Sequence, residues 1–259
     1  MGTVTKALSL LGLFTQIRPE IGLSELTRLS GMNKATTHRL LRELQAQGFV
    51  EQVGPERAYR LGPEVLRLAA LREATVPILS VSREVLDRLS AATGETAHIS
   101  LVQGAKLNAL SHAYSPRYAT RVMMDDTEVL SFHATGSGLA VLAWAEPDFV
   151  DAVLAERLHA FTPDTETSAQ AIRARLDDIR RDGMAESIGG YEADVHSHAA
   201  PVFGPDQRPI GALAVAAPVS RMTETLKQTI RAELAAGARD MTQRIGGLYP
   251  PSFPAARAA

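Results

Sequence analysis

The chain has 259 residues, 45% apolar and 22% charged, which is the profile of a folded protein of one large or two modest domains and excludes a disordered chain. No apolar run reaches the roughly 20 residues that span a bilayer, and the absence of cysteine excludes disulfide and thiol chemistry. The net charge of −2 is unevenly spread: residues 1–62 hold eight Lys and Arg against five Glu, a net +3, and the remainder carries −5.

A basic head on an acidic body concentrates attraction for phosphate at one end. A charge of +3 on one copy is weak, so a homo-oligomer, a dimer or a tetramer, is expected to multiply the contact. Lys6 already lies within an amphipathic pattern, so no signal peptide is expected and a cytoplasmic location is.

Val4, Ala7, Leu8, Leu11 and Phe14 recur at helical spacing and predict a first helix that floors a small N-terminal domain. A loop over 16–22 leads to Ser24, the expected N-cap of a helix that buries Leu26 and Leu29. Gly31 supplies a turn, and Asn33 caps a longer helix that buries Thr37, Leu40, Leu41 and Leu44 before Gly48 stops it. Lys34, Ala35, Thr36, His38, Arg39 and Arg42 then face outward or obliquely. Small, hydroxyl and cationic side chains at the start of an exposed second helix are what a DNA major groove accepts. Strands over 49–53 and 58–61, turning through Gly54-Pro55-Glu56-Arg57, make a wing that brings Arg57 and Arg60 towards the backbone. The DNA-binding set is Lys34, Ala35, Thr36, Thr37, His38, Arg39, Arg42, Arg57 and Arg60, with Thr37 its most inward member. Lys34 and Thr36 are assigned to bases and Arg39 to a phosphate. An ordinary helical hairpin with a solvated face gives the same pattern taken alone.

Gly62-Pro63 breaks the second strand and starts a linker helix over 63–76, whose Val65, Leu66, Leu68, Ala69 and Leu71 form an apolar surface that expects a second copy. From Pro77 helices and strands alternate, and the expected class is α/β (α+β). Predicted elements are a helix over 77–93, strands over 96–103 and 107–112, short strands over 118–124 and 129–132, helices over 138–144, 148–158 and 168–181, strands over 195–203 and 210–216, and a closing helix over 223–245. The tail over 247–259 reads as mobile.

The stretch Thr36-Thr37-His38-Arg39-Leu40-Leu41, Leu44, Gly48-Phe49 and Tyr59-Arg60-Leu61-Gly62 resembles the winged helix-turn-helix of the IclR family of bacterial transcription regulators. The resemblance continues in Thr93-Gly94-Glu95-Thr96-Ala97-His98, in His133-Ala134-Thr135-Gly136-Ser137-Gly138, at Gly183, in Ala199-Ala200-Pro201-Val202 and in Gly211-Ala212-Leu213-Ala214-Val215. It implies a winged domain over 1–62, the linker helix, and over 77–246 a GAF-like domain with a mostly antiparallel sheet flanked by helices. It also implies double-stranded DNA as a partner and a small effector, an organic acid or aromatic catabolite, in the second domain.

The matching effector positions are Thr135, Gly136, Ser137, Gly138, Asp194, Ser197, Ala214 and Ala216. Free N–H groups at the helix start near Gly136 suit a carboxylate. The chain departs from the family pattern where serines of the last strand become Ala214 and Ala216, where a lysine becomes Leu139, and where an acidic pair becomes Gly189-Gly190. Asp194, His196 and His198 are in phase on one strand face, a donor set suited to Zn²⁺ or another divalent ion, with His133 as a candidate fourth ligand. Such an ion would hold the effector directly, unless Ser197 is the pocket-facing residue and the histidines point away. A metal-dependent enzyme acting at Asp194, His196 and His198 is the alternative function. Ser137 invites a nucleophile reading, but Gly-Ser-Gly lacks the spacing of a nucleophile elbow.

Overall fold

The computed structural model describes residues 2–15, 18–75 and 78–254, which divide into two compact units at Pro77/Ile78. The first contains α1 (Thr3–Leu11), α2 (Leu23–Ser30), α3 (Lys34–Ala46), the hairpin β1 (Val50–Val53) and β2 (Ala58–Leu61), and α4 (Pro63–Thr75). Its core is Leu10, Phe14, Ile21, Leu26, Leu40, Leu41, Leu44, Val50 and Tyr59. Asn33 caps α3 by accepting from the Thr36 N–H at 2.8 Å, and Gly31, with φ at 66°, lets the chain turn between α2 and α3. Ile21 bridges Tyr59, which anchors the wing to the loop before α2.

Two expectations for this unit are corrected. Gly22, not Ser24, occupies the N-cap of α2, with no side-chain cap bond. Val4 and Leu8 are exposed, because the face that α1 buries is centred on Leu10. The loop expected over 16–22 begins with two residues that lie outside the described set, as does the expected helix start at Pro77.

The second unit is built on a six-stranded sheet of order β5-β4-β3-β8-β7-β6, antiparallel throughout. The strands are β3 (Thr96–Gln103), β4 (Lys106–Ala113), β5 (Val129–Leu130), β6 (Ala185–Ile188), β7 (Val195–Phe203) and β8 (Pro209–Pro218). The helices α6 (Gly136–Trp144), α7 (Pro147–Ala155) and α8 (Ala169–Asp182) bury one face, and α5 (Ile78–Thr93) and α9 (Glu224–Arg244) bury the other. Period-two alternation sorts β8 between them: Ala212 and Ala214 face α6, while Leu213 and Val215 face α5 and α9. With Ala199 they leave the α6 face nearly flat, so the small start of α6 packs close. At Gly138 a Cβ would lie 2.4 Å from the Phe132 backbone, so only glycine fits.

The sheet also corrects the sequence reading. Residues 118–124 form an irregular loop, not a strand, and only Val129–Leu130 of the next predicted strand pairs. The edge strand β6, which follows the positive-φ Gly183 at the end of α8, was not expected; at four residues it is too short to show period-two alternation. Over 247–254 the tail, expected to be mobile, is packed: Phe253 is 6% exposed and lies against Trp144, Phe203 and Tyr249, while the Leu248 N–H donates to the Gly204 carbonyl. The last five residues lie outside the described set. Among the described residues no helix is long and apolar enough to cross a membrane.

Candidate DNA interface and effector cavity

On α3, burial of Thr37, Leu40, Leu41 and Leu44 turns Lys34, Ala35, His38, Arg39 and Arg42 out to solvent, with Thr36 partly covered. Thr37 is a correction to the DNA-binding set: it is 0% exposed and its hydroxyl donates to the Asn33 carbonyl at 3.1 Å, so it locks the helix start and reaches no base. The wing cations differ in their freedom. Arg57, at φ 53°, donates to Gln52 Oε1 within the wing, and Arg60 is held by Glu51 at 2.6 Å and Glu20 at 3.8 Å. Arg60 would therefore have to exchange these carboxylates for a phosphate, whereas among the described residues no ion pair engages Lys34, Arg39 or Arg42.

The second unit has a cavity over the pocket face of β7 and β8, between the start of α6 and the loop that precedes β5. Its empty volume, counting the open mouth, is about 490 Å³. Thr135, Gly136 and Ser137 line it, with Ser197 and Ala216, as expected. Three expected positions do not. Gly138 has its N–H capped by Thr135 Oγ1 at 3.0 Å, Ala214 is covered by α6, and Asp194 lies on an exposed turn beside the cavity. Gly136 and Ser137 N–H remain as the free donors of the helix start.

The sequence reading missed other lining residues: His98, Glu128, Ser187, Tyr191 and Glu192 among the polar ones, and Val122, Met124, Leu130 and Val195 among the apolar ones. Nothing in their local spacing marks them, since they come from four separate segments. The Tyr191 hydroxyl donates to Glu128 at 2.5 Å, and burial, followed by that carboxylate, raises the tyrosine pKa. Partial burial, with Glu128 and Asp194 nearby, also pushes the Glu192 carboxyl up. The loop that brings Val122 and Met124 to the cavity is held by Thr96 Oγ1 donating to the Val122 carbonyl and by Arg221 stacked on Tyr118. Arg221 is in turn fixed by two 2.6 Å bonds to buried Glu95. Arg117 and Arg121 do not line the cavity; Arg121 stacks on Tyr114.

His98 stands 3.3 Å from Ser137 Oγ, so the serine does have an imidazole neighbour. His98 Nδ1, however, has no partner to orient the ring, and burial holds its pKa down at about 4. A serine–histidine pair without a third member is a hydrogen bond and not a catalytic triad.

The metal reading of the strand is corrected in its ligand set and its location. Ser197 faces the cavity, and His196 and His198 therefore face the opposite side of the sheet, towards Lys227 of α9. Asp194 precedes the strand on its exposed turn. His133 is elsewhere, bonded to Ser131 Oγ and the His159 carbonyl at 3.0 Å each. No ion on these histidines could touch an effector in the cavity.

A winged helix-turn-helix joined to a sheet domain with a cavity is the architecture of a transcription regulator. Residues 3–54 match the IclR helix-turn-helix domain, and residues 72–243 match the C-terminal domain of bacterial transcriptional regulator IclR. The chain belongs to the IclR family. It is 29% identical to the HTH-type transcriptional regulator XynR of Escherichia coli K12, across 96% of this chain and 98% of that one, and 26% identical to the transcriptional repressor IclR of the same organism, across 95% and 90%. The crystal structure of an IclR transcriptional regulator from Silicibacter sp. TM1040 is 65% identical with a TM-score of 0.93, covering 98% of this chain and 100% of that one. An IclR homolog from Microbacterium hydrocarbonoxydans, solved with 4-hydroxybenzoate, shares the fold at 22% identity and a TM-score of 0.77, covering 93% of this chain and 100% of that one. These relatives are transcriptional regulators, and so is this chain; it is not an enzyme acting at its histidines.

Proposed function

We propose that the chain regulates a catabolic operon as a homo-oligomer and that its effector is a small organic acid carrying hydroxyl groups, aliphatic or aromatic. One observation carries this reading. The cavity has Gly136 and Ser137 N–H as anion donors, yet its side chains include Glu128 and Glu192 and no Lys or Arg. A bare anion would be repelled by the two carboxylates, whereas a ligand with hydroxyls donates to them while its own carboxylate takes the helix start. Val122, Met124, Leu130 and Val195 suit the carbon frame, aromatic or not. 4-Hydroxybenzoate, held by the Microbacterium protein, has both groups, which supports the class without choosing the compound. Exposed Val4, Leu8, Leu66 and Leu68 support assembly through the first unit, which would double the net +3 presented to DNA.

The test is a matched panel of benzoate, 4-hydroxybenzoate, its methyl ester, glycerate and glycerol, read by thermal shift and by fluorescence anisotropy on operator DNA. A hydroxy acid should raise the melting temperature and change operator affinity, and Glu128→Gln should weaken that response at least tenfold in concentration. A positive response to benzoate as large as that to 4-hydroxybenzoate, or no response to any hydroxy acid, would sink the assignment.

A further inference from the structure

The two histidines that face away from the cavity form a cluster of their own. Glu186 of β6 is the direct cross-strand partner of His198 on β7, and His196, two residues earlier, shares that face. The imidazoles stack with centroids 5.0 Å apart and planes 18° from parallel. Both present Nε2 to the same carboxylate oxygen: Glu186 Oε1 is 2.6 Å from His196 Nε2 and 3.4 Å from His198 Nε2. The three donor atoms lie within 4.8 Å of one another, and the rings are 3% and 1% exposed.

His198 is incompletely bonded as it stands. Its contact with Glu186 is long, and its Nδ1 is buried with no partner. Whichever nitrogen carries the proton, either a lone pair faces a carboxylate or a buried acceptor goes unused. An ion on Nε2 would take up the lone pair that faces the carboxylate, while Nδ1, on the other side of the ring, would stay unpartnered. Two imidazoles and one carboxylate, held by strand backbone, are a donor set for a first-row divalent ion; tetrahedral bonds of about 2.0–2.2 Å set donors roughly 3.3 Å apart, so small side-chain rotations would part Glu186 from His196 and leave it near its present distance from His198.

We infer that Glu186, His196 and His198 form a divalent transition-metal site, best matched to Zn²⁺, on the face of the sheet behind the effector cavity. The position gives the site a consequence. Ser187 and Ser197, paired across the same two strands, line the cavity on the other face. An ion would therefore fasten the four-residue edge strand β6 to β7 immediately behind two cavity walls. Three cations surround the cluster and oppose it. Lys227 Nζ lies 3.5 Å from Glu186 Oε1, but it is partly exposed and has Glu224 at 3.4 Å as an alternative partner. Arg231 is held by Asp182, and Arg175 donates to the backbone carbonyl of Glu186. The ammonium of Lys227 is thus the mobile competitor for the metal position.

The experiment uses untagged full-length protein, stripped with chelator, returned to chelator-free buffer and titrated with Co²⁺ by visible absorption, then with Zn²⁺ by displacement. One equivalent of Co²⁺ per chain should give ligand-field bands that Zn²⁺ abolishes. Glu186→Gln and His196→Gln, with circular dichroism confirming the fold, should each weaken binding at least tenfold, while His159→Gln on the exposed loop should not. Lys227→Met removes the competitor without touching a ligand and should tighten binding several-fold. Absence of bands at one equivalent, bands that survive His196→Gln in folded protein, or no gain from Lys227→Met would each overturn the proposal.

Discussion

His98 shows how one buried side chain sets a property of the whole domain. Its ring lies on β3 at the wall of the effector cavity, 6% exposed, against Ser137 and near His112, which is itself bonded to Asp126 at 2.6 Å. Burial first and His112 second depress its pKa to about 4 from the ordinary 6.5. The unfolded chain therefore binds the proton more readily than the folded one. Stability from this group is complete above pH 6.5, declines as pH falls below that value, and has been lost in full once pH passes below about 4. At pH 5 the loss relative to pH 7.5 should be about 2 kcal/mol, from 1.36 kcal/mol per pH unit. Urea denaturation of wild type and His98→Gln at both pH values measures it: the wild type should lose more stability on acidification, and parallel losses would refute the assignment.

At the scale of elements, α3 separates two kinds of contact. Asn33 and Thr37 are spent on the helix itself, as cap and as buried hydroxyl, while the side chains one position along face solvent. Arg39, with no ion-pair partner among the described residues, should act on phosphate and not on sequence. Arg39→Ala is expected to weaken every duplex alike and to flatten the slope of log affinity against log salt by about 1 for each phosphate it no longer neutralises. Lys34→Ala or Thr36→Ala should instead change the ranking among operator variants. Anisotropy titrations at several salt concentrations separate these outcomes, and an unchanged affinity for Arg39→Ala at moderate salt would remove it from the interface. Arg60, on β2 of the wing, has a weaker standing, because its two glutamate partners already balance its charge.

Across the whole molecule, long-range packing decides what local pattern leaves open. Phe253 joins the end of the chain to Trp144 of α6 and Phe203 of β7, and a Cβ on Gly183 at the end of α8 would sit 3.3 Å from its ring. Phe253→Ala should cost about 3 kcal/mol or more in urea denaturation, since a buried aromatic leaves a cavity. A midpoint unchanged by the substitution would show that the tail is only laid on the surface. The uneven charge belongs to this scale too, because the summed +3 of residues 1–62, not any single cation, stands against the −5 of the remainder.

By itself the sequence determined the elements whose signals are local. Gly31, Asn33 and the leucines of α3 mark a helix-turn-helix because capping, turning and 3.6-residue burial act over a few residues, and β7 and α9 are legible for the same reason. The family resemblance added the two-domain plan, and with it Thr135, Gly136, Ser137, Ser197 and Ala216 as cavity positions. Only the tertiary structure decided the rest. Four-residue β6 exists because β7 pairs with it, Glu128 and Glu192 share a cavity because a loop and a turn converge, and the tail docks because aromatics distant in sequence meet. The strand phase from Asp194 to His198 was visible in the sequence, but which face met the cavity was not. Period two defines two faces without naming them, and the choice falls to whichever helix each face must bury against.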